Sequence, residues 1–164
     1  MTMRRRTFVA AATGLVTGAR AKSTPLLIVG GTLGRTNDAA AKSYSFGEEE
    51  FLALPQSTIE TATSWTPRSR WVGPKISAVM SSVKATPGNR LRVAAVDDYH
   101  VTIPWSDMER WGIILAHSRD GVRLERKQWG PLFVIYPRDN YPRELNTPMT
   151  EAKFIWQVHR IDIE

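Results

Sequence analysis

The sequence of 164 residues contains no cysteine. That absence excludes disulfides, zinc–thiolate centres, iron–sulfur ligation, a thiol nucleophile and any metal held by a protein thiolate. Histidine is scarce too. His100, His117 and His159 fall on separate predicted elements at no metal-ligand spacing, so solvated or structurally bonded imidazole is the expectation for each. Long apolar runs are also missing. The Leu26 to Val29 run is far too short for a bilayer, which needs about 20 predominantly apolar residues. The sequence has no G-x-S-x-G, no H-E-x-x-H and no EF-hand loop.

Charge of one sign is lacking once the chain is divided. The net charge is +6, but four of the 22 basic residues (Arg4, Arg5, Arg6 and Arg20) lie in the first 21 positions, which hold no acid. The remaining 143 residues carry 18 basic groups against 16 acidic ones, a net of only +2. No nucleic-acid partner is therefore expected. At 42% hydrophobic and 23% charged, the body has the make-up of one ordinary globular domain with a real core.

Residues 1–21 read as a signal peptide. The Arg4-Arg5-Arg6 run precedes a weakly apolar stretch from Phe8 to Ala19, and Ala19-Arg20-Ala21 supplies a small-x-small cleavage pattern. Arg5-Arg6-Thr7-Phe8-Val9 fits a twin-arginine pattern, although Arg4 stands where Ser or Thr is usual. The expected location is periplasmic or secreted, with no membrane span, and residues 22–164 form the mature domain.

Along that domain the patterning is mostly that of strands. Leu26 to Val29 reads as a buried strand ended by Gly30-Gly31, and Thr36 to Lys42 as loop. Tyr44 to Phe46 alternates, and Glu48 to Leu54 reads as a short helix with acids in its first turn. Ser57 to Thr63 alternates with Ile59, Thr61 and Thr63 on one face. Gly73-Pro74 is expected to open a helix with proline in its first turn, because Ile76, Val79, Met80 and Val83 follow at i, i+3, i+4 and i+7. That helix is expected to run to near Pro87-Gly88. Further strands are predicted around Leu91 to Ala95, Val101 to Ile103, Ile113 to Ala116, Leu132 to Tyr136 and Phe154 to Ile163. Ser106 to Glu109 reads as a helical turn and Asp120-Gly121 as a hairpin turn. The expected class is α+β, a β-rich single domain.

Few residues stand out chemically. Gly30-Gly31-Thr32-Leu33-Gly34 lacks the spacing of a dinucleotide loop and no helical period follows it, so strand-turn-strand is the reading. Asp97-Asp98 at a strand end is read as turn chemistry. Arg119, Arg123, Arg126 and Lys127 are read as a solvated hairpin edge. Of six tryptophans, most are expected in the core. Trp65 and Trp71 differ because they flank Arg68 and Arg70 in a segment poor in other apolar anchors. A partly exposed Trp/Arg cluster there would hold a planar or anionic ligand by stacking and charge.

The order of these pieces resembles the sulfite-oxidase-like molybdopterin-binding family. The likeness runs through Leu27-Ile28-Val29-Gly30, Phe46 with its Glu-rich helix to Leu54-Pro55, Thr61 to Trp65, and Trp71-Val72-Gly73-Pro74. It continues through Val79-Met80, Leu115-Ala116, Asp120 to Leu124, Gly130-Pro131-Leu132, Ile135-Tyr136-Pro137 and Lys153 to Ile163. It implies the molybdopterin-binding fold. In that family a cysteine four residues before a Trp, itself six before W-[IV]-G, ligates molybdenum. Trp65 and Trp71-Val72-Gly73 hold that spacing and put Thr61 at the cysteine position. A threonine hydroxyl is a hard, protonated oxygen that cannot replace a soft thiolate. The resemblance therefore implies an exported, non-catalytic binding or accessory protein with no cofactor. Thr61, Trp65, Arg68 and Arg70 form the candidate mouth for an anionic small ligand or an exported or membrane-bound partner protein. The alternative is an oxidoreductase holding molybdopterin without a cysteine ligand. N-terminal sequencing of exported protein should begin at Lys22; retention of residues 1–21 in the exported form would overturn the leader reading.

Overall fold

The computed structural model describes residues 24–164, so the expected signal peptide at 1–21 lies outside the described residues. Three sheets share one core. In the largest, β2 (Tyr44–Phe46), β1 (Leu27–Gly30), β11 (Val158–Ile163), β5 (Arg90–Ala95) and β6 (His100–Pro104) lie side by side in that order. Only β1 and β11 run parallel. The last strand therefore enters the middle of the sheet, next to the first. Leu27, Val29, Leu91, Val93, Val158 and Ile161 leave water there, each contributing roughly 1.5–3 kcal/mol of transfer free energy.

The second sheet is built on a long hairpin, β3 (Gln56–Thr63) and β4 (Thr66–Pro74), extended by β8 (Ser118–Arg119) and β9 (Val122–Arg123). As predicted, Ile59, Thr61 and Thr63 are buried on one face of β3. The third is a buried pair, β7 (Ile114–Ala116) against β10 (Phe133–Ile135). β4 and β7 approach closely at Gly73, where a Cβ would stand 2.1 Å from the Leu115 carbonyl oxygen. Any side chain there would push the sheets apart, which explains the glycine.

The helices are short: α1 (Glu48–Leu52), α2 (Ile76–Ser82), α3 (Trp105–Trp111), α4 (Pro142–Leu145) and α5 (Pro148–Glu151), with a 3₁₀ turn at Arg138–Asn140. The expected period appears in α2, where Ile76, Val79 and Met80 are buried, with Val83 following. Its start does not match the expectation. Pro74 is the last residue of β4, paired with Gln56, and Lys75 is the N-cap. The sheet register takes Gly73-Pro74 first, and the helix begins only after the chain has left β4. It also ends at Ser82, well before Pro87-Gly88. α3 runs past the expected turn at Ser106 to Glu109 and closes at Gly112, which takes the left-handed conformation (φ 61°). Asp120 and Gly121 both have positive φ in the β8–β9 turn, the signature of the predicted hairpin. The fold is α+β and strand-rich, as the sequence implied. No helix among the described residues is long and apolar enough to cross a membrane.

One polar cluster ties α3 to the core. Asp107 accepts a hydrogen bond from the Tyr136 hydroxyl (2.8 Å) and an ion-paired one from Lys153 Nζ (2.7 Å) on the same oxygen. Burial raises the Tyr136 pKa, reinforced by the Asp107 charge, so the phenol stays a donor. Asp107→Ala strands both donors and should cost about 3 kcal/mol, whereas Tyr136→Phe should cost about 1 kcal/mol. Urea midpoints of the two variants check this, and equal losses would refute the shared-acceptor account.

Candidate functional site

Period-two side-chain alternation decides where the four candidate residues go. In the β3–β4 register, Ile59 pairs with Trp71 and Thr61 with Ser69, all four buried. Glu60 pairs with Arg70, and both are exposed. Arg68 lies on the Arg70 face and meets Glu60 at 3.6 Å, while the Arg70 backbone N–H donates to Asp120 (2.8 Å). Arg68 and Arg70 therefore share the outer face, whereas Thr61 and Trp71 lie on the inner one. Trp71 is not part of an exposed Trp/Arg cluster. It is fully buried, and its indole N–H donates to the Thr61 carbonyl (3.2 Å).

Thr61 is sealed. Its side chain is fully buried, and its hydroxyl accepts from the Asp139 N–H (3.2 Å) and donates to the Ala62 carbonyl (3.3 Å). Asp139 returns the contact, its carboxylate accepting from the Ala62 N–H (3.0 Å). The 3₁₀ turn is thus bonded directly across the end of β3. A molybdenum ligand at this position would need a deprotonated soft donor facing open space. The residue present is a neutral hydroxyl with both hydrogen-bonding roles filled, so it does not fit the metal. No group of three His, Asp or Glu side chains among the described residues could hold a metal ion.

Trp65 is the exposed member. It sits in the two-residue turn between β3 and β4, 44% exposed. Its ring meets Trp156 edge-to-face at 4.8 Å, Trp156 meets Trp129 at 5.3 Å, and Phe133 joins both to buried Trp71 at 5.2 Å. An aromatic series thus runs from the surface into the core. Glu151 of α5 holds the turn in place, accepting from the Ser64 N–H (2.7 Å) and from Arg138 (2.7 Å). Beside this turn lies a cavity of about 560 Å³, walled by Trp65, Trp156, Phe154 and Pro148, with Tyr99, Asp97 and Glu151 among its polar groups. Neither Arg68 nor Arg70 lines it, nor does any other basic residue. The sequence singled out Trp65 but not the rest, because the walls come from chain segments near 65, 95–99 and 148–157. The Asp97-Asp98 turn was legible as a turn, with Asp98 at φ 67° and Asp97 capping the Tyr99 N–H, but not as a cavity rim.

A second cavity, about 600 Å³, is bordered by Trp111, Glu144, Asp107 and Lys153. Its central acid and base are already paired with each other.

His117 makes the other polar arrangement with catalytic residue types. Gln56 donates both amide hydrogens to the Leu52 and Leu54 carbonyls, so its Oε1 can only accept. His117 Nε2, 3.0 Å away, therefore carries the proton, and Nδ1 accepts from the Ser118 hydroxyl at 2.6 Å. This resembles a nucleophile–base pair, but Ser118 is buried and borders neither of the two cavities described above. The pair links β8 to the start of β3. On the hairpin edge, Arg119 donates to Ser69 (2.8 Å) and Arg123 to Glu48 (2.6 Å), so these arginines serve the sheet.

No protein-family model and no curated protein matches the chain. Among solved structures it is similar to the sulfane dehydrogenase SoxCD from Paracoccus pantotrophus. The TM-score is 0.60 at 15% identity, over 84% of this chain. The chain spans 37% of the length of that protein's chain. At this identity the likeness is one of fold.

Burial, and then the nearby Arg123 charge, lowers the His117 pKa below the ordinary 6.5. The unfolded chain then binds the proton more readily, so this residue's contribution to stability is complete above about pH 6.5 and declines as pH falls through the folded value. Denaturant midpoints should drop on acidification below that point, and His117→Gln should flatten that limb. An unchanged slope in the variant would exclude His117 as the cause.

Proposed function

We propose that the chain is a non-catalytic binding or accessory domain on a distant molybdopterin-enzyme-like fold. The likeness in fold and the resemblance read from the sequence both support that ancestry. The observation that carries the loss of catalysis is Thr61. The position the resemblance assigns to the metal ligand holds a neutral hydroxyl, fully buried and bonded to the Asp139 N–H. A donor lost by substitution alone would leave an open site. Here the neighbouring turn has closed over it, and Asp139 caps the Ala62 N–H in return.

The binding surface in this reading is the Trp65 side of the β3–β4 turn, where an exposed aromatic borders a small-molecule-sized cavity. We place the protein outside the cytoplasm, on the strength of its first 21 residues.

The test is elemental molybdenum together with pterin fluorescence of denatured extract, on protein from a cofactor-competent exporting host. Molybdenum should be far below stoichiometric. Thr61→Cys should not restore it, because the new thiol would still lie under Asp139. Near-stoichiometric molybdenum and pterin in the unsubstituted protein would overturn the proposal in favour of a cysteine-free oxidoreductase.

A further inference from the structure

The cavity beside Trp65 has a chemistry different from the one the flanking arginines implied. Its walls are aromatic: the indoles of Trp65 and Trp156 meet edge-to-face at 4.8 Å, and Tyr99 stands 57% exposed at the rim. Its charged members are two carboxylates, Asp97 and Glu151, and no lysine or arginine lines it. The two acids are not equivalent. Glu151 is already satisfied by Arg138 and the Ser64 N–H. Asp97 has no ion-pair partner among the described residues, and one of its oxygens only caps the Tyr99 N–H. The net charge offered to an occupant is therefore one exposed carboxylate at the rim, beside aromatic side chains.

An anion would meet a like charge at Asp97 and find no cation among the lining residues. A fully neutral ligand would leave Asp97 unused. A cation with an apolar body satisfies both, since ring faces attract ammonium groups and the carboxylate steers them. The volume of about 560 Å³ falls within the range of sites for whole small molecules, and it exceeds what a bare methylated ammonium group would fill. We propose that this cavity binds a small organic cation, a tertiary or quaternary ammonium carried on an apolar or planar body. Trp65 and Trp156 would hold the body and Tyr99 and Asp97 would meet the charge. The inference rests on reading the chain as a binding domain and names the ligand class of that site.

The experiment is calorimetric titration of the full chain with three probes sharing a benzyl or phenyl ring: benzyltrimethylammonium, benzyl alcohol and benzoate. The cation should bind on the order of tenfold more tightly than the other two. Asp97→Asn, an exposed substitution, should weaken the cation several-fold and leave benzyl alcohol unchanged. Trp65→Ala should weaken both the cation and the alcohol, and tryptophan fluorescence should respond to the cation in the unsubstituted protein. Circular dichroism of each variant confirms that it is folded. Equal binding of all three probes, tighter binding of benzoate, no binding of the cation, or a cation affinity indifferent to Asp97→Asn would overturn the proposal. Such a failure leaves the molybdenum measurement untouched, and stoichiometric molybdenum would overturn the accessory reading while leaving this binding result standing.

Discussion

The 3₁₀ turn Arg138–Asn140 is bonded across the end of β3, and most of the candidate site depends on that contact. Two hydrogen bonds run in opposite directions between the same two segments, from Ala62 N–H to the Asp139 carboxylate and from Asp139 N–H to the Thr61 hydroxyl. Glu151 adds a second tie, joining the Ser64 N–H of the next turn to Arg138. Bonds to charged groups contribute about 1.5–3 kcal/mol each, more than neutral ones. The Ala62–Asp139 and Ser64–Glu151 bonds span 77 and 87 residues of chain, so they close large loops and hold the 3₁₀ turn and α5 against the β3–β4 end. Position 61 is shut as a direct result, and the Trp65 indole is held at the surface beside the cavity.

The same tie couples the site to the core. Trp65 leans on Trp156, which packs through Trp129 and Phe133 onto Trp71, whose indole N–H bonds the Thr61 carbonyl. The sealed residue and the exposed ring thus belong to one continuous packed network. Edge-to-face pairs contribute about 0.5–1.5 kcal/mol beyond area burial. A series of them stiffens the cavity wall in a way that a single exposed tryptophan could not. A rigid wall loses little entropy when a ligand docks, which would favour the binding role proposed above.

Much of this was legible in the residues. The alternation of Ile59, Thr61 and Thr63 located β3, and the 3.6 period of Ile76, Val79 and Met80 located α2. Asp120-Gly121 marked its hairpin. The start of α2 was misplaced because proline suits both a helix first turn and a strand end. Only the pairing of Pro74 with Gln56 decides between them. Trp71 falls outside the expected exposed Trp/Arg cluster for a reason the sequence already contained. In a strand, residues 68 and 70 share a face opposite 69 and 71, so an arginine pair there cannot stack with Trp71. Proximity in sequence is not proximity in space when side chains alternate between faces. The cavity walls were not legible, because Trp65, Tyr99, Glu151 and Trp156 converge only through the sheet order and the docking of α5.

That parity argument also separates two surfaces that the sequence ran together. Arg68 and Arg70 stand on the outer face of β4, with Glu60 close to one and paired across the strands with the other. Exposed ion pairs of this kind contribute little to stability, about 0–1 kcal/mol, and an anion binding there would have to compete with that acid. The cavity is where shape, aromatic surface and an unpaired carboxylate coincide, and it carries the opposite charge preference. A ligand drawn by the arginines and a ligand held by the cavity would be different molecules on different faces. Concavity is what separates the two: about 560 Å³ lined by aromatic side chains can take an apolar body partly out of water, whereas two solvated guanidiniums on a flat strand cannot. On the proposed reading, selectivity would reside at the Trp65 turn, in a cavity that neither Arg68 nor Arg70 lines.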